Sequence, residues 1–207
     1  MTSWPRALLL AVAGCAPAPP PDPLRPPTPA MWDGRHPQAH LWSAALLRIL
    51  TADGRRLLAL RPTDMPAFCP RYDTLPEPGR AAVWLMLFSA IAEKESGFRP
   101  AHTYREAFRG EDGRPVISRG LLQTSFESTR HHGCDHRTPA DTHDPIRNLQ
   151  CGVRIMTWHL EREPRIGGTA EVPASGGARY WAVLRPGHRE RPLEIIQANT
   201  ANHPLCR

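Results

Sequence analysis

The chain has 207 residues, 41% of them hydrophobic, enough for one domain with a real core and too few for two large ones. Its formal net charge is +6, carried almost wholly by arginine, because Lys94 is the only lysine. The arginines are scattered rather than gathered into a stripe, so the composition argues against a nucleic-acid partner.

In chain order, Arg6 is followed by "ALLLAVAG" and then Cys15, a positive residue leading into an apolar run that ends in small residues. The run is too short for a mature membrane span and reads as a secretory signal over residues 1–15. "VAGC" resembles the lipobox of bacterial lipoproteins. That resemblance implies acylation of Cys15; an ordinary signal peptide cleaved nearby is the alternative. Ala16 stands where an aspartate would favour inner-membrane retention. The resemblance therefore implies a periplasmic protein, lipid-anchored in the outer membrane of a Gram-negative cell. Residues 16–36 include "APAPPPDPLRPPTPA", an extended, semi-rigid tether.

From residue 37 onward the pattern predicts a mainly α, compact domain. Helices are expected near Gln38–Leu50, Gly79–Glu95, Arg119–His131, Ile146–Glu161, Ala178–Leu184 and Leu193–Ala198, with "GRPVIS" as a minor strand. Ser118 is expected to cap the helix opening at Arg119. Asp144 before Pro145 is expected to cap the next helix, whose buried face is Leu149, Val153, Met156 and Leu160. Four cysteines besides Cys15 suggest two disulfides, in one of three pairings; Cys134 with Cys151 and Cys69 with Cys206 is the preferred one.

Chemistry enters at "LFSAIAEKESGFRPAH". An apolar helix acquires Glu93 and Glu95 just before Gly97 caps it and Pro100 prevents its resumption. A carboxyl there faces the negative end of the helix dipole and, packed among apolar side chains, loses solvation. Both effects favour the protonated form that a general acid needs. A solvent-facing acid on an ordinary helix end is the plainer reading. Periodicity does not choose between the acids, since each shares a helix face with apolar residues.

The motifs "ESGFRP" and, downstream, "SRGLLQTS" resemble the soluble lytic transglycosylase family, whose catalytic domain is of the goose-type lysozyme kind. Glu95, Ser96, Gly97 and Phe98 match its first motif, and Ser118, Gly120, Leu121 and Gln123 its second. Asn148 and Gly152 in "NLQCGVRIM" echo a packed family helix, and "RYWAVL" looks like a late tyrosine motif. The resemblance implies an all-α or mainly α lysozyme-like fold with Glu95 as catalytic acid/base. It places Ser118 and Gln123 in the glycan cleft, Gly120 where backbone and sugar approach closely, and Tyr180 where it would orient the Glu95 carboxyl. It implies no cofactor and a monomer whose substrate is peptidoglycan.

Two departures stand out. The family's "AYNAG"-like segment is missing, replaced by "REPRIGGTAEVPASGGARYW". The insertion "TYREAFRGEDGRPVI" is long, and its Glu106, Glu111 and Asp112 leave a second carboxylate open. The cluster His131, His132, Cys134, Asp135, His136, Asp141 and His143 matches no established zinc spacing and reads as a solvated loop without metal. The expected reaction cuts the β-1,4 bond between N-acetylmuramic acid and N-acetylglucosamine, leaving 1,6-anhydromuramoyl ends. The rivals are a muramidase using water and a non-catalytic wall-binding lipoprotein.

Overall fold

The computed structural model describes residues 30–207, so Cys15, the signal and most of the expected tether lie outside the described residues. The packed chain begins by Ala30, ahead of the expected start at residue 37. Trp32 is fully buried with its indole N–H on Ser43 Oγ, and the Met31 N–H donates to Ser89 Oγ of the central helix. The proline-rich composition conceals this aromatic anchor.

The order is α1 (Ala39–Thr51), α2 (Arg55–Ala59), α3 (Met65–Phe68), α4 (Glu77–Ser96), β1 (Thr103–Arg109), β2 (Pro115–Arg119), β3 (Thr124–Ser125), α5 (Phe126–His131), α6 (Pro145–Arg162) and α7 (Pro192–Ala201), with short 3-10 turns between. The fold is mostly helical with one small antiparallel sheet, ordered β1-β2-β3. No described helix is long and apolar enough to cross a membrane.

Helix α4 is the axis. Every residue from Ala81 to Ala92 is buried, as an all-round apolar helix requires, and it packs against α1 and α7. Its buried Trp84 donates to the Tyr72 hydroxyl at 2.8 Å, so the core indole is satisfied. Gly97 ends the helix in the left-handed conformation, its N–H returning to Glu93 O. Phe98, also left-handed at φ 62°, turns its ring into the core against Trp32. Helix α6 opens with Asp144 Oδ1 accepting the N–H groups of Ile146 and Arg147, both at 2.9 Å, and buries Leu149, Val153, Met156 and Leu160. Disulfides join Cys69 to Cys206 and Cys134 to Cys151.

The expected helix Arg119–His131 is the main error. Ser118 lies in β2 rather than at a cap, and residues 120–123 form a tight turn before β3; only Phe126–His131 is helical, capped by Ser125 Oγ on the Ser128 N–H. The cause is tertiary. Asn148 of α6, fully buried, accepts the Leu122 N–H at 2.8 Å and donates to Arg119 O, Thr124 Oγ1 and Thr142 O. Backbone groups claimed by that amide are not available to a helix. The expected helix Ala178–Leu184 is likewise two 3-10 turns, broken by extended backbone at Trp181, whose indole donates to Leu122 O. Strand β1 was not expected, because it is charged and almost wholly exposed.

Replacing Asn148 by alanine should strand one buried N–H and two or more buried oxygens. We expect a loss of about 3–4 kcal/mol in unfolding free energy, measured by urea denaturation. A loss under 1 kcal/mol would show that the turn holds itself.

Candidate active site

The last turn of α4 separates the two acids. Glu93 turns outward and pairs with Arg35, whose guanidinium also lies over the Phe98 ring at 4.7 Å. Glu95 turns inward, partly buried, and its carboxyl has no hydrogen-bond partner among the described residues. Burial, reinforced by the charge of Glu106 and opposed by Arg185, pushes its pKa up to about 8. Such a group carries its proton through the neutral range.

Glu106 comes from β1. Its Oε1 accepts the Ser118 hydroxyl proton at 2.5 Å, from the facing strand β2. Glu111 and Asp112 are exposed near the tip of the same hairpin, where Asp112 caps the Arg114 N–H. Of the three acids left open by the sequence, Glu106 alone bears electrostatically on Glu95. Arg185 is the residue that sequence reasoning missed. It lies just beyond the tyrosine motif, with its guanidinium held by Ala178 O at 2.9 Å and Arg179 O at 3.2 Å.

Tyr180 completes the wall. Burial pushes its hydroxyl up to about 12, and the charges of Glu95 and Glu106 add to the effect. The expected role of orienting the Glu95 carboxyl is not realised by a direct bond; the phenol oxygen instead accepts the Ser125 N–H at 3.3 Å. Its segment is pinned by Arg179, which makes two bonds to Glu163, while the Gly176 N–H adds a third at 2.6 Å. Those bonds hold the Glu163 carboxyl down to about 2.

Gln123 is buried and left-handed at φ 49°. Its amide nitrogen donates to Gly120 O at 2.8 Å and His102 O at 3.2 Å, leaving Oε1 buried without a partner. It therefore presents an acceptor alone, not the donor and acceptor expected. Gly120, at φ 80°, is required by protein rather than sugar: a Cβ there would lie 2.3 Å from Thr142 O and 2.5 Å from Asn148 Nδ2.

The histidine cluster disperses. His131 and His132 join Trp158, His159 and Tyr180 in an aromatic layer. His143 bonds Pro100 O, and His136 packs beside Cys134 and Cys151. Because those two sulfurs are bonded to each other, neither is a thiolate available to a metal.

The family model described as Transglycosylase SLT domain matches residues 78–172. Three solved structures of the protein DslA are similar to this chain at 36% identity. The wild type has a TM-score of 0.81 and covers 87% of this chain and 98% of its own. Two mutants, each with one glutamate changed to glutamine, have TM-scores of 0.81 and 0.80 and cover 86% of this chain and 97% of their own. No curated protein matches significantly.

A carboxyl whose folded pKa is raised contributes stability that is full below its unfolded value and is lost as pH rises through the folded one. Wild type should therefore weaken between about pH 4.5 and pH 8, the values for the free and folded Glu95. Glu95→Gln carries no such charge. It should match wild type near pH 4 and exceed it at pH 9 by about 2–4 kcal/mol, read from denaturant unfolding at both pH values. Parallel curves would mean that Glu95 is well solvated.

Proposed function

This chain belongs to the transglycosylase SLT domain family, and on that footing we propose that it cleaves the β-1,4 bond between N-acetylmuramic acid and N-acetylglucosamine in peptidoglycan, with Glu95 as general acid. The observation that carries the reading is the Glu95 carboxyl itself: desolvated, unpaired, and held near pKa 8 beside Glu106 and Tyr180. A wall-binding protein without activity has no use for a carboxyl kept in so unfavourable a place.

In the first reading, protonated Glu95 gives its proton to the glycosidic oxygen while the muramoyl N-acetyl oxygen attacks the anomeric carbon. The C1–O bond breaks and the leaving sugar departs as an alcohol. The Glu95 carboxylate then takes the proton of the 6-hydroxyl, whose oxygen attacks C1 and displaces the acetamido oxygen. The product is a 1,6-anhydro ring, and Glu95 has its proton back. Here Glu106 acts through its charge, offsetting the positive charge that develops at C1.

Glu106 also favours a second reading. Most glycosidases use two carboxyls, and with Glu106 as base a water molecule becomes the acceptor, giving reducing ends. The two glutamates replaced in the DslA mutants stand eleven positions apart, the separation of Glu95 from Glu106 here, which supports a role for both.

We further infer that the chain is exported and acylated at Cys15, tethering the domain at the outer membrane. The support is the "VAGC" sequence after an apolar run, together with two disulfides suited to an oxidising compartment.

Glu95→Gln should lower release of fragments from purified sacculi by about two or more orders of magnitude while the fold survives, and Glu93→Gln should change little. Mass spectrometry of the wild-type products decides the acceptor. Anhydromuramoyl ends support the first reading, reducing muramic ends the second, and no glycan cleavage sinks both. Separately, Cys15→Ala should move the protein from the membrane fraction to the soluble one and abolish acyl labelling; labelling that persists would refute the anchor.

A further inference from the structure

Strand β1 is an outer strand of the sheet, and every residue in it except Glu106 is exposed. Outer strands ordinarily present charge, as Arg105 and Arg109 do here. Yet this strand also carries Tyr104 and Phe108, 58% and 61% exposed. These are the two most exposed large hydrophobic side chains of the described residues, and the only aromatic ones among them. A lone exposed apolar residue needs no explanation, but two such rings on either side of one active-site carboxylate do.

The pairing register says where Tyr104 points. Tyr104 pairs with Ser118, and Ser118 with Ser125, so all three side chains share one face of the sheet. Ser118 donates to Glu106 on that same face, and the Ser125 backbone N–H holds the Tyr180 hydroxyl. A row therefore runs across the three strands from Tyr180, at the wall of the site, outward to Tyr104. Two strand spacings separate Ser125 from Tyr104, roughly 10 Å and close to the length of a disaccharide. Between Arg105 and Arg109 the register breaks, a bulge that bends the strand beside the site and carries Phe108 past it.

We propose that Tyr104 is a stacking platform for a pyranose ring of the glycan strand, about one disaccharide from the bond that is cut. One face of a pyranose ring is a sheet of C–H groups and its edge bears hydroxyls. A tyrosine ring, with an apolar body and a polar tip, matches both. The platform would determine how an extended strand is held, and so act on polymer binding rather than on proton transfer. The inference rests on the glycan-cleaving reading of Glu95 and names a subsite for it.

The test uses the full-length protein and soluble, peptide-free strands of alternating N-acetylglucosamine and N-acetylmuramic acid. Binding is measured in the Glu95→Gln background and steady-state cleavage in the active protein. Tyr104→Thr removes the ring but suits a strand, and Tyr104→Phe keeps the ring. We expect Tyr104→Thr to weaken strand binding about five- to tenfold and to raise KM by the same factor. Tyr104→Phe should stay within about twofold of its parent, and the melting temperature should not move for either. Unchanged binding in Tyr104→Thr would overturn the proposal. So would equal losses in both variants, which would assign the effect to the hydroxyl, or a loss that tracks a fall in melting temperature. If wild type cleaves strands and Tyr104→Thr binds them normally, the subsite fails alone; if Glu95→Gln binds no strands and wild type cleaves none, the glycan reading fails with it.

Discussion

The Asn148 side chain holds the architecture of the site together. One amide, fully buried on α6, makes four hydrogen bonds that fix the path from Arg119 to Thr124 and fasten it to Thr142. Leaving any of these groups unpaired in the core would cost about 1–3 kcal/mol, so the turn has little freedom to take another shape. Gln123 is aimed by that turn, and Ser118 is delivered to Glu106 by the strand preceding it. The close approach explains two glycines as well. Gly120 leaves room for the amide, and Gly152, one turn along α6, leaves room for Leu122, whose Cδ1 would lie 2.2 Å from an added Cβ. Trp181 closes the far side by donating to Leu122 O, which carries the constraint to the neighbouring Tyr180.

Against that frame, α4 does an unusual thing for a core helix, since it ends in a site rather than at the surface. Its buried length sets the depth of Glu95, and Gly97 with Phe98 turns the chain away at once, so the acid and the buried Ser96 after it lie in the last turn before the helix stops. Arg35 neutralises Glu93 on the outer side, which leaves Glu95 as the unpaired carboxyl of that last turn. The pairing of Glu163 with Arg179 does the opposite kind of work. It contributes stability above the usual carboxylate range and loses it only as pH falls toward 2, so the wall bearing Tyr180 stays fixed wherever Glu95 titrates.

Much of this was legible in the residues. The all-round apolar run of α4, the Asp144-Pro145 start of α6 and the heptad-like face of Leu149, Val153, Met156 and Leu160 are local signals, and the structure realises them locally. Two spaced motifs picked out Glu95, where periodicity left Glu93 equal; the deciding physics, Arg35, lies in a distant segment. What was not legible depends on partners far along the chain. "SRGLLQTSFESTR" has the composition of a capped helix and is bent by Asn148, although Gly120 two places after Ser118 was a warning. Strand β1 has no alternation because one face meets solvent and the other bears the site, so its identity comes from pairing with β2. Arg185 follows a motif without belonging to one, and nothing in its neighbourhood announces a charge facing Glu95.

The surroundings of Tyr180 give the histidine-rich loop a place in the same electrostatics. His132 and His159 pack edge-on against Trp158 and near the Tyr180 ring, and burial lowers the pKa of both, that of His159 to about 4. Imidazoles held in their neutral form bring bulk and hydrogen-bonding atoms to the wall without bringing positive charge. The Glu95 proton is set by burial and one neighbouring carboxylate, which together outweigh a single arginine. The chain is basic overall and yet, at Glu95, burial first and the neighbouring Glu106 second retain a proton against the pull of Arg185.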